Sequence, residues 1–324
     1  MSQSMRVALG QFSELTDDMI AFIKQLGATD FLLNHAKLPG DKQWEYEDLA
    51  ALKERSDDAG LRLMALENVP GSFYNKAMLG QPGRDEQIEH VCNTIRNMGR
   101  AGIPILGYHF MPNGVWRTPE PAVLRGGATA SRFNMAEESR GLSHGRAYSK
   151  EEMWENYEHY LERILPAAEE AKVRLALHPD DPPVESLGGI ARLFSSFEGF
   201  KRAMDTFDSP YHGLDFCMGC WSEMGSHENV MRGIRYFGPQ GKIIYIHFRD
   251  VQGQAGCFNE CFIDEGQVDT FEVVKTLKEV GFDGFMIDDH VPHVVGDTGW
   301  GHRARAHCIG YMQALIQVIN RLYP

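Results

Sequence analysis

The chain has 324 residues, of which 43% are hydrophobic and 24% are charged, a composition typical of a globular protein that buries a full core. Its net charge of −13 argues against a nucleic-acid partner, because such a partner requires a basic face. No apolar run approaches the roughly 18 residues that cross a bilayer, no signal peptide is evident and the six cysteines are scattered, so we expect a cytoplasmic protein without a membrane partner.

Short apolar segments alternate with amphipathic segments along the whole chain, which predicts alternating strands and helices. The predicted strands span residues 6–9, 30–33, 61–66, 103–108, 173–177, 213–216, 243–246 and 284–288. The predicted helices span about 17–26, 46–59, 85–100, 151–171, 227–236, 271–280 and 303–322, with one more expected before the sixth strand. Capping residues support these bounds, since Thr16 can cap the first helix and Gly60 can end the second.

These alternations continue without a break in composition, which predicts a parallel sheet covered by helices. At this length we expect a closed (β/α)8 barrel, with residues 1–324 as one domain. A doubly wound open sheet is the alternative, although no glycine-rich dinucleotide loop follows any predicted strand. Residues 111–149 are rich in glycine, arginine and serine and are too long for an ordinary connection. We expect this segment, after the fourth strand, to form a lid, a subunit contact or a disordered region.

The last four predicted strands each end on a side chain that can bind a metal ion. His178 opens a stiff His-Pro-Asp-Asp-Pro-Pro loop after the fifth strand, and Cys217, His247 and Asp289 follow the next three strands. Because the carboxyl ends of barrel strands converge on one face, these four side chains can reach a single ion. Their mixture of nitrogen, sulfur and oxygen donors suits Mn²⁺, Fe²⁺, Co²⁺ or Zn²⁺ better than Mg²⁺ or Ca²⁺.

A structural zinc site built from four thiolates is a second interpretation of the cysteines. Its ligands would be Cys217, Cys220, Cys257 and Cys261. Cys217 follows a strand directly, and the pair Cys257 and Cys261 lacks the compact spacing of a zinc knuckle. We therefore expect the three cysteines other than Cys217 to pack in the core or to have no role in metal binding.

Other polar residues are expected at the same face and are candidates for substrate binding. Three earlier strands also end on polar side chains: His35, Glu67 and His109. Arg249, two residues beyond His247, and the loop residue Arg117 can each bind a substrate carboxylate as a bidentate fork. His290, beside Asp289, is a candidate general acid or base, with a supporting hydrogen bond to a ligand as the alternative role.

The motifs His178-Pro-Asp-Asp-Pro-Pro183, Cys217-Met-Gly219, His247-Phe-Arg249 and Asp289-His290 resemble the signature of the mannonate dehydratases, a branch of the xylose-isomerase-like barrels. The resemblance spans nearly the whole chain. It implies a Mn²⁺- or Fe²⁺-dependent lyase that removes water from D-mannonate to give 2-keto-3-deoxygluconate. It also implies that His178, Cys217, His247 and Asp289 are the metal ligands, and that His290 acts with Asp289 in the acid–base chemistry.

The chain departs from the family pattern in two places. The family carries a catalytic tyrosine in a Pro-Gly-Tyr segment after the last strand, where this chain reads Thr298-Gly-Trp300. An indole can stack on a substrate but cannot exchange a proton as a phenol does. The region 137–150 is also shorter than the family's helical insert. The alternatives are therefore a metal-dependent sugar isomerase or epimerase, a lyase for a related sugar acid, or a non-catalytic protein that binds metal and ligand. A homo-oligomer, dimeric or tetrameric, is expected in each case.

Overall fold

The computed structural model describes residues 5–324. In that range the strands are β1 (Arg6–Leu9), β2 (Asp30–Asn34), β3 (Arg62–Glu67), β4 (Ile105–Tyr108), β5 (Thr118–Val123), β6 (Thr129–Asn134), β7 (Arg174–Leu177), β8 (Ser186–Leu187), β9 (Ile190–Ala191), β10 (His212–Cys217), β11 (Ile243–His247), β12 (Val251–Gln254), β13 (Cys257–Glu260) and β14 (Phe285–Ile287). The helices are α1 (Asp17–Gln25), α2 (Tyr46–Asp58), α3 (Asn75–Met78), α4 (Arg84–Ala101), α5 (Lys150–Ala171), α6 (Phe197–Thr206), α7 (Met218–Phe237), α8 (Thr270–Glu279) and α9 (His302–Leu322).

Eight of these strands form a closed parallel barrel with the ring order β1-β14-β11-β10-β7-β4-β3-β2. β1 pairs with both β14 and β2, and these two pairings close the ring. The predicted barrel is confirmed and the open doubly wound sheet is wrong. Each predicted barrel strand agrees with the structure to within two residues at either end.

The barrel strands are buried on both faces, as expected for parallel strands covered by helices. Every residue of β10 and β11 is buried, and the helices pack their apolar faces around the ring. Local capping helps to set where helices begin. Thr16 accepts a hydrogen bond from the Met19 amide at the start of α1, and Ser149 does the same for Glu152 at the start of α5. Among residues 5–324, no helix combines the length and apolar character needed to cross a membrane.

The segment 111–149 contains regular structure that the sequence pattern did not predict. β5 and β6 join the hairpin β12–β13 in an antiparallel sheet with the order β12-β13-β6-β5. The sheet has its own apolar cluster, which includes Trp116, Phe133 and Phe258. β5 contains two prolines and is an edge strand, where the missing amide hydrogens are tolerated. The expectation of a disordered segment is therefore wrong for residues 118–134, and a role as lid or subunit contact stays a prediction.

Candidate active site

A cavity of about 400 Å³ opens at the carboxyl ends of the barrel strands. Seven residues singled out in the sequence line it: His35, Glu67, His109, His178, His247, Asp289 and His290. They meet there because each follows or ends a barrel strand, and all parallel strands of a barrel end on the same face. The cavity is the natural binding site for a small molecule.

The four predicted metal ligands lie together beside this cavity. Ligand atoms of His178, Cys217 and His247 all lie within 4.8 Å of one another. An oxygen of Asp289, Oδ2, lies 3.7 Å from His247 Nδ1 and 3.9 Å from Cys217 Sγ. The four residues lie at the carboxyl ends of β7, β10, β11 and β14, which are consecutive in the ring. Their geometry fits one divalent cation, and their assignment as ligands stays a prediction.

Hydrogen bonds orient both histidine rings for such a role. His178 Nδ1 donates to the Pro179 carbonyl oxygen at 2.7 Å. The opposite nitrogen, Nε2, is therefore the one available to a metal ion together with the other candidate ligands. His247 Nε2 lies 2.9 Å from Glu67 Oε2, so the carboxylate holds the proton on Nε2. The opposite nitrogen of the ring, Nδ1 of His247, is buried and has no hydrogen-bond partner. An unpartnered buried imidazole nitrogen beside a thiol and a carboxylate fits the role of a metal ligand.

The electrostatics favour a thiolate at Cys217. Burial alone would raise the pKa of this thiol, but the neighbouring Cys220 side chain, the positive charge of Arg249 and the adjacent rings of His178 and His247 hold it well below its ordinary value. The thiolate is the form of cysteine that binds metals.

The same charges favour protons on the histidines. Burial lowers the pKa of His178, but the Cys217 thiolate and the Asp215 carboxyl group outweigh it and raise the pKa to about 9. A divalent cation at this position would replace protons, so its binding is coupled to proton release.

Arg249 lies outside the cavity lining, although the sequence suggested that it would bind the substrate. Its side chain is 2% exposed and all of its nitrogens contact protein groups. Nε lies 2.8 Å from Asp289 Oδ2, Nη1 lies 3.0 Å from Glu223 and 3.2 Å from Glu260, and Nη2 lies 3.1 Å from Asp181. No donor is left for a substrate carboxylate, so the geometry gives Arg249 the role of orienting and neutralising buried carboxylates.

Protein carboxylates also occupy the guanidinium group of Arg117. It forms a bidentate pair with Asp181 at 2.6 and 2.8 Å, and its Nη2 also lies 2.8 Å from Glu260 Oε1. The fork geometry expected for a substrate carboxylate is present, but a protein carboxylate occupies it. Its two acidic partners come from a loop and from a hairpin strand that are distant in sequence, which is why the sequence pattern could not reveal them.

His290 lies at the edge of the cavity with its ring held by the same cluster. Its Nδ1 is 2.8 Å from Glu260 Oε1, and its Nε2 is 3.8 Å from Asp289 Oδ1. Burial lowers the pKa of His290, whereas Asp289 and Glu260 raise it, and the net pKa lies above the ordinary value. The ring can therefore carry a proton near neutral pH.

The two histidines that follow the earlier strands are neutral. Burial, together with the positive charges of His178 and Arg192, lowers the pKa of His109 to about 3. His109 Nδ1 accepts a hydrogen bond of 3.1 Å from the Met111 amide, so the ring proton is on Nε2. Burial also lowers the pKa of His35 by more than Glu67 raises it. Both rings line the cavity without a net charge.

Trp300 does not line the cavity, so the structure does not support stacking on a substrate. Its indole packs edge-on against Phe12 and Phe22, each at 5.8 Å between ring centroids. Its Nε1 donates a 2.7 Å hydrogen bond to the Gln11 carbonyl oxygen. Trp300 therefore supports the backbone next to the cavity.

The four-thiolate zinc site is not formed. Among the described residues, none of the clusters that could hold a metal includes Cys257 or Cys261. Cys257 is exposed, and the Cys261 thiol donates to the Asp250 carbonyl oxygen at 3.4 Å. Cys220 instead contacts Arg249 at 3.2 Å.

Sequence reasoning missed four buried groups that support the site: Asp215, Glu223, Tyr245 and Glu260. Two of these could have been found, because Asp215 and Tyr245 lie two residues before Cys217 and His247 on their strands and so point to the same side. Tyr245 donates to Glu67 Oε2 at 3.1 Å, and Asp215 Oδ2 lies 3.2 Å from His247 Nε2.

A sequence profile of the D-mannonate dehydratase (UxuA) family matches residues 5–141 and 134–323. The mannonate dehydratase of Thermotoga maritima is 31% identical over 306 residues, covering 83% of this chain and 82% of that protein. The mannonate dehydratase of Streptococcus pneumoniae is 30% identical over 316 residues, covering 88% of this chain and 85% of that protein.

Solved structures agree. The mannonate dehydratase of Streptococcus suis serotype 2 has a TM-score of 0.89 at 28% identity, covering 99% of this chain and 95% of that chain. A D-tagatose 3-epimerase-like protein has a TM-score of 0.68 at 15% identity, covering 99% and 100%, and this likeness shows the fold alone. The resemblance drawn from the strand-end motifs is confirmed: the chain belongs to the D-mannonate dehydratase (UxuA) family, a family of hydro-lyases.

Proposed function

We propose that this protein removes water from D-mannonate to give 2-keto-3-deoxy-D-gluconate and that it depends on a divalent metal ion. The observation that carries this proposal is the cluster of four mixed donors beside the cavity of a chain in the dehydratase family. His178 Nε2, Cys217 Sγ, His247 Nδ1 and the Asp289 carboxylate would hold Mn²⁺ or Fe²⁺, and Co²⁺ or Zn²⁺ also suit this donor set. When bound, such an ion supplies Lewis-acid stabilisation of the negative charge that develops beside the substrate carboxylate.

His290 is the proton donor in this proposal. Its Nδ1 is held by Glu260, so its Nε2 can give a proton to the departing 3-hydroxyl group, which then leaves as water. Asp289, adjacent in sequence, helps to keep the ring protonated. Glu260 keeps the ring in one orientation and is itself held by Arg249 and Arg117.

The proton beside the substrate carboxylate must pass to a base in the same cavity, and we assign this step to His35. Among the cavity histidines, His35 and His109 are the two whose pKa values are lowered, so their rings are neutral. His109 Nδ1 accepts a hydrogen bond from the Met111 amide, so the only polar group that this ring can offer to a substrate is the Nε2–H donor. His109 is therefore suited to donating a hydrogen bond to a substrate oxygen, and His35 to accepting a proton.

We further propose that the protein is cytoplasmic and forms a homo-oligomer, and that residues 1–324 are one domain. All six cysteines are free, which supports a reducing compartment. The antiparallel sheet contributed by residues 111–149 carries Arg117 to the active site, which supports a role of this segment in covering the site or in subunit contact.

Product analysis tests the proposed reaction. Protein loaded with Mn²⁺ or, without oxygen, with Fe²⁺ is incubated with D-mannonate, and in parallel with other six-carbon aldonates, and the products are identified by NMR and mass spectrometry. We expect D-mannonate to lose the mass of one water and to give the 2-keto-3-deoxy acid. An epimer of unchanged mass, or no conversion with either metal, would refute the proposal.

A further inference from the structure

Three cavity residues at the ends of β1, β2 and β3 have left-handed backbone conformations although none is glycine. Gln11, His35 and Asn68 have φ values of 61°, 47° and 59°, and all three line the cavity. This region of φ is unfavourable for residues with a side chain, and such strain tends to occur at functional sites. Two further non-glycine residues with positive φ, Lys172 and Ser226, do not line the cavity. The strained turns therefore bring three polar side chains to one wall.

The amides on this wall form a ring of hydrogen bonds with Glu67. Asn34 Nδ2 donates to Gln11 Oε1 at 2.5 Å, and Asn68 Nδ2 donates to Asn34 Oδ1 at 3.0 Å. Glu67 Oε1 closes the ring by accepting from Asn68 Nδ2 at 3.3 Å and from Gln11 Nε2 at 3.5 Å. Because a carboxylate only accepts, it sets the direction of every amide in the ring. We call Gln11, Asn34 and Asn68 the amide wall.

The amide wall is coupled to the metal ligand His247 through Glu67, and its Asn34 lies across the barrel from Cys217. The second oxygen of Glu67 holds His247 Nε2 at 2.9 Å. β2, which carries Asn34, is four places away from β10 in the ring of eight strands, which puts it across the barrel from Cys217. Trp300 donates to the Gln11 carbonyl oxygen and so fixes the strained turn from outside.

We propose that the amide wall is the subsite for the hydroxyl-bearing tail of the substrate, beyond the two reacting carbons, and that it sets the preference for a six-carbon chain. This inference rests on the proposed function for the substrate class. Asn34 and Gln11 each keep one amide hydrogen that the ring does not use, and these hydrogens can donate to hydroxyl oxygens. None of the three amide side chains is positively charged, and their common acceptor is the carboxyl group of Glu67, so the wall does not suit the carboxylate end of the substrate.

Glycine substitutions provide a test that preserves the backbone. In Gln11→Gly and Asn68→Gly the left-handed turn becomes easier to adopt, while the side-chain amide is removed. Lys172→Gly is the matched control, since it makes the same change at an exposed left-handed residue at the end of α5. The two ligands are a 3-deoxy six-carbon aldonate, which has no 3-hydroxyl to lose, and 2,4-dihydroxybutanoate, its four-carbon counterpart. Affinities are measured by calorimetry on the Mn²⁺-loaded protein, with thermal melting to verify folding.

We expect the wild-type protein and Lys172→Gly to bind the six-carbon ligand more tightly than the four-carbon ligand. Each amide-wall variant should lose about 3- to 10-fold in affinity for the six-carbon ligand and keep its affinity for the four-carbon ligand. The proposal is overturned if the wild type binds both ligands equally or binds neither. It is also overturned if both variants keep the wild-type preference, or if they lose affinity for both ligands alike. Since no turnover is measured, this result is independent of whether D-mannonate is dehydrated.

Discussion

The Glu67–His247 pair allows a sharp test of how the site is organised. Replacing the carboxylate by an amide, in Glu67→Gln, keeps the size of the side chain and one hydrogen-bond acceptor but removes the negative charge. In the folded protein, Glu67 Oε2 lies 2.9 Å from His247 Nε2, and the two side chains are 3% and 2% exposed. A carboxylate in this position makes the opposite imidazole nitrogen a stronger ligand.

The expected loss in Mn²⁺ affinity is about 10- to 100-fold, or about 1.4 to 2.7 kcal/mol, the range seen when the partner of a ligating histidine is changed. Asp215 is a second carboxyl group near this ring, with its Oδ2 3.2 Å from His247 Nε2. Burial raises the pKa of Asp215 to about 8, and the charge of Glu67 adds to this rise, so Glu67 is the stronger anion beside His247 in the wild-type protein.

The assay is a competition for Mn²⁺ between the metal-free protein and a fluorescent chelator at pH 7. Asp30→Asn is the matched control: Asp30 is also a buried carboxylate of the barrel, but it starts β2 at the opposite end and pairs with Arg6 and Arg62. We expect the control to lower the melting temperature and to leave the Mn²⁺ affinity unchanged. Unchanged affinity in Glu67→Gln, or an equal loss in both variants, would refute the reasoning.

Three further predictions concern other parts of the site and its support. In Gly219→Ala the added Cβ would lie 2.5 Å from Cζ and 2.8 Å from Cγ of Arg249. We therefore expect the unfolding free energy, measured by urea titration, to fall by about 1–3 kcal/mol and Arg249 to bind the buried carboxylates less well. An unfolding free energy equal to that of the wild type would contradict this packing. His290→Asn and His35→Gln should each lower kcat by about 10²- to 10⁴-fold with Mn²⁺ affinity unchanged, and a variant that loses metal instead of kcat would remove that residue from the acid–base role. Burial lowers the pKa of His212 from 6.5 to about 4, so the stability from keeping it neutral is present above pH 6.5 and is lost as the pH falls towards 4, by up to about 3 kcal/mol; His212→Asn should flatten this part of the pH–stability curve, and an equally steep curve would count against it.

The positions of the four candidate ligands were predictable because they depend on local signals. Each follows a short apolar strand whose bounds the sequence reveals, and in a parallel barrel the ends of consecutive strands meet. His178 and Cys217 needed no knowledge of distant contacts to be brought to one face. The same holds for the barrel, since alternating periods of hydrophobicity are a property of neighbouring residues.

The role of Arg249 was not predictable in this way. Its position two residues after His247 correctly suggested a location near the site, but the side chain is saturated by Asp181, Glu223 and Glu260. These carboxylates come from a loop, from α7 and from β13, and no local pattern links them. The role of Trp300 was not predictable either. A tryptophan suits both stacking on a substrate and support of a neighbouring turn, so the residue type alone does not distinguish the two roles.

By itself the sequence determined where the eight barrel strands form and that His178, Cys217, His247 and Asp289 lie at the ends of four successive ones, and it favoured a closed barrel over an open sheet. Only the tertiary structure decided which polar groups face the cavity and which are hydrogen-bonded to one another, as in the ring of Glu67, Asn34 and their neighbours. The physical reason is that strand formation depends on residues close in the chain, whereas the hydrogen bonds and ion pairs of a buried site join groups far apart in sequence, whose distances exist only once the barrel has closed.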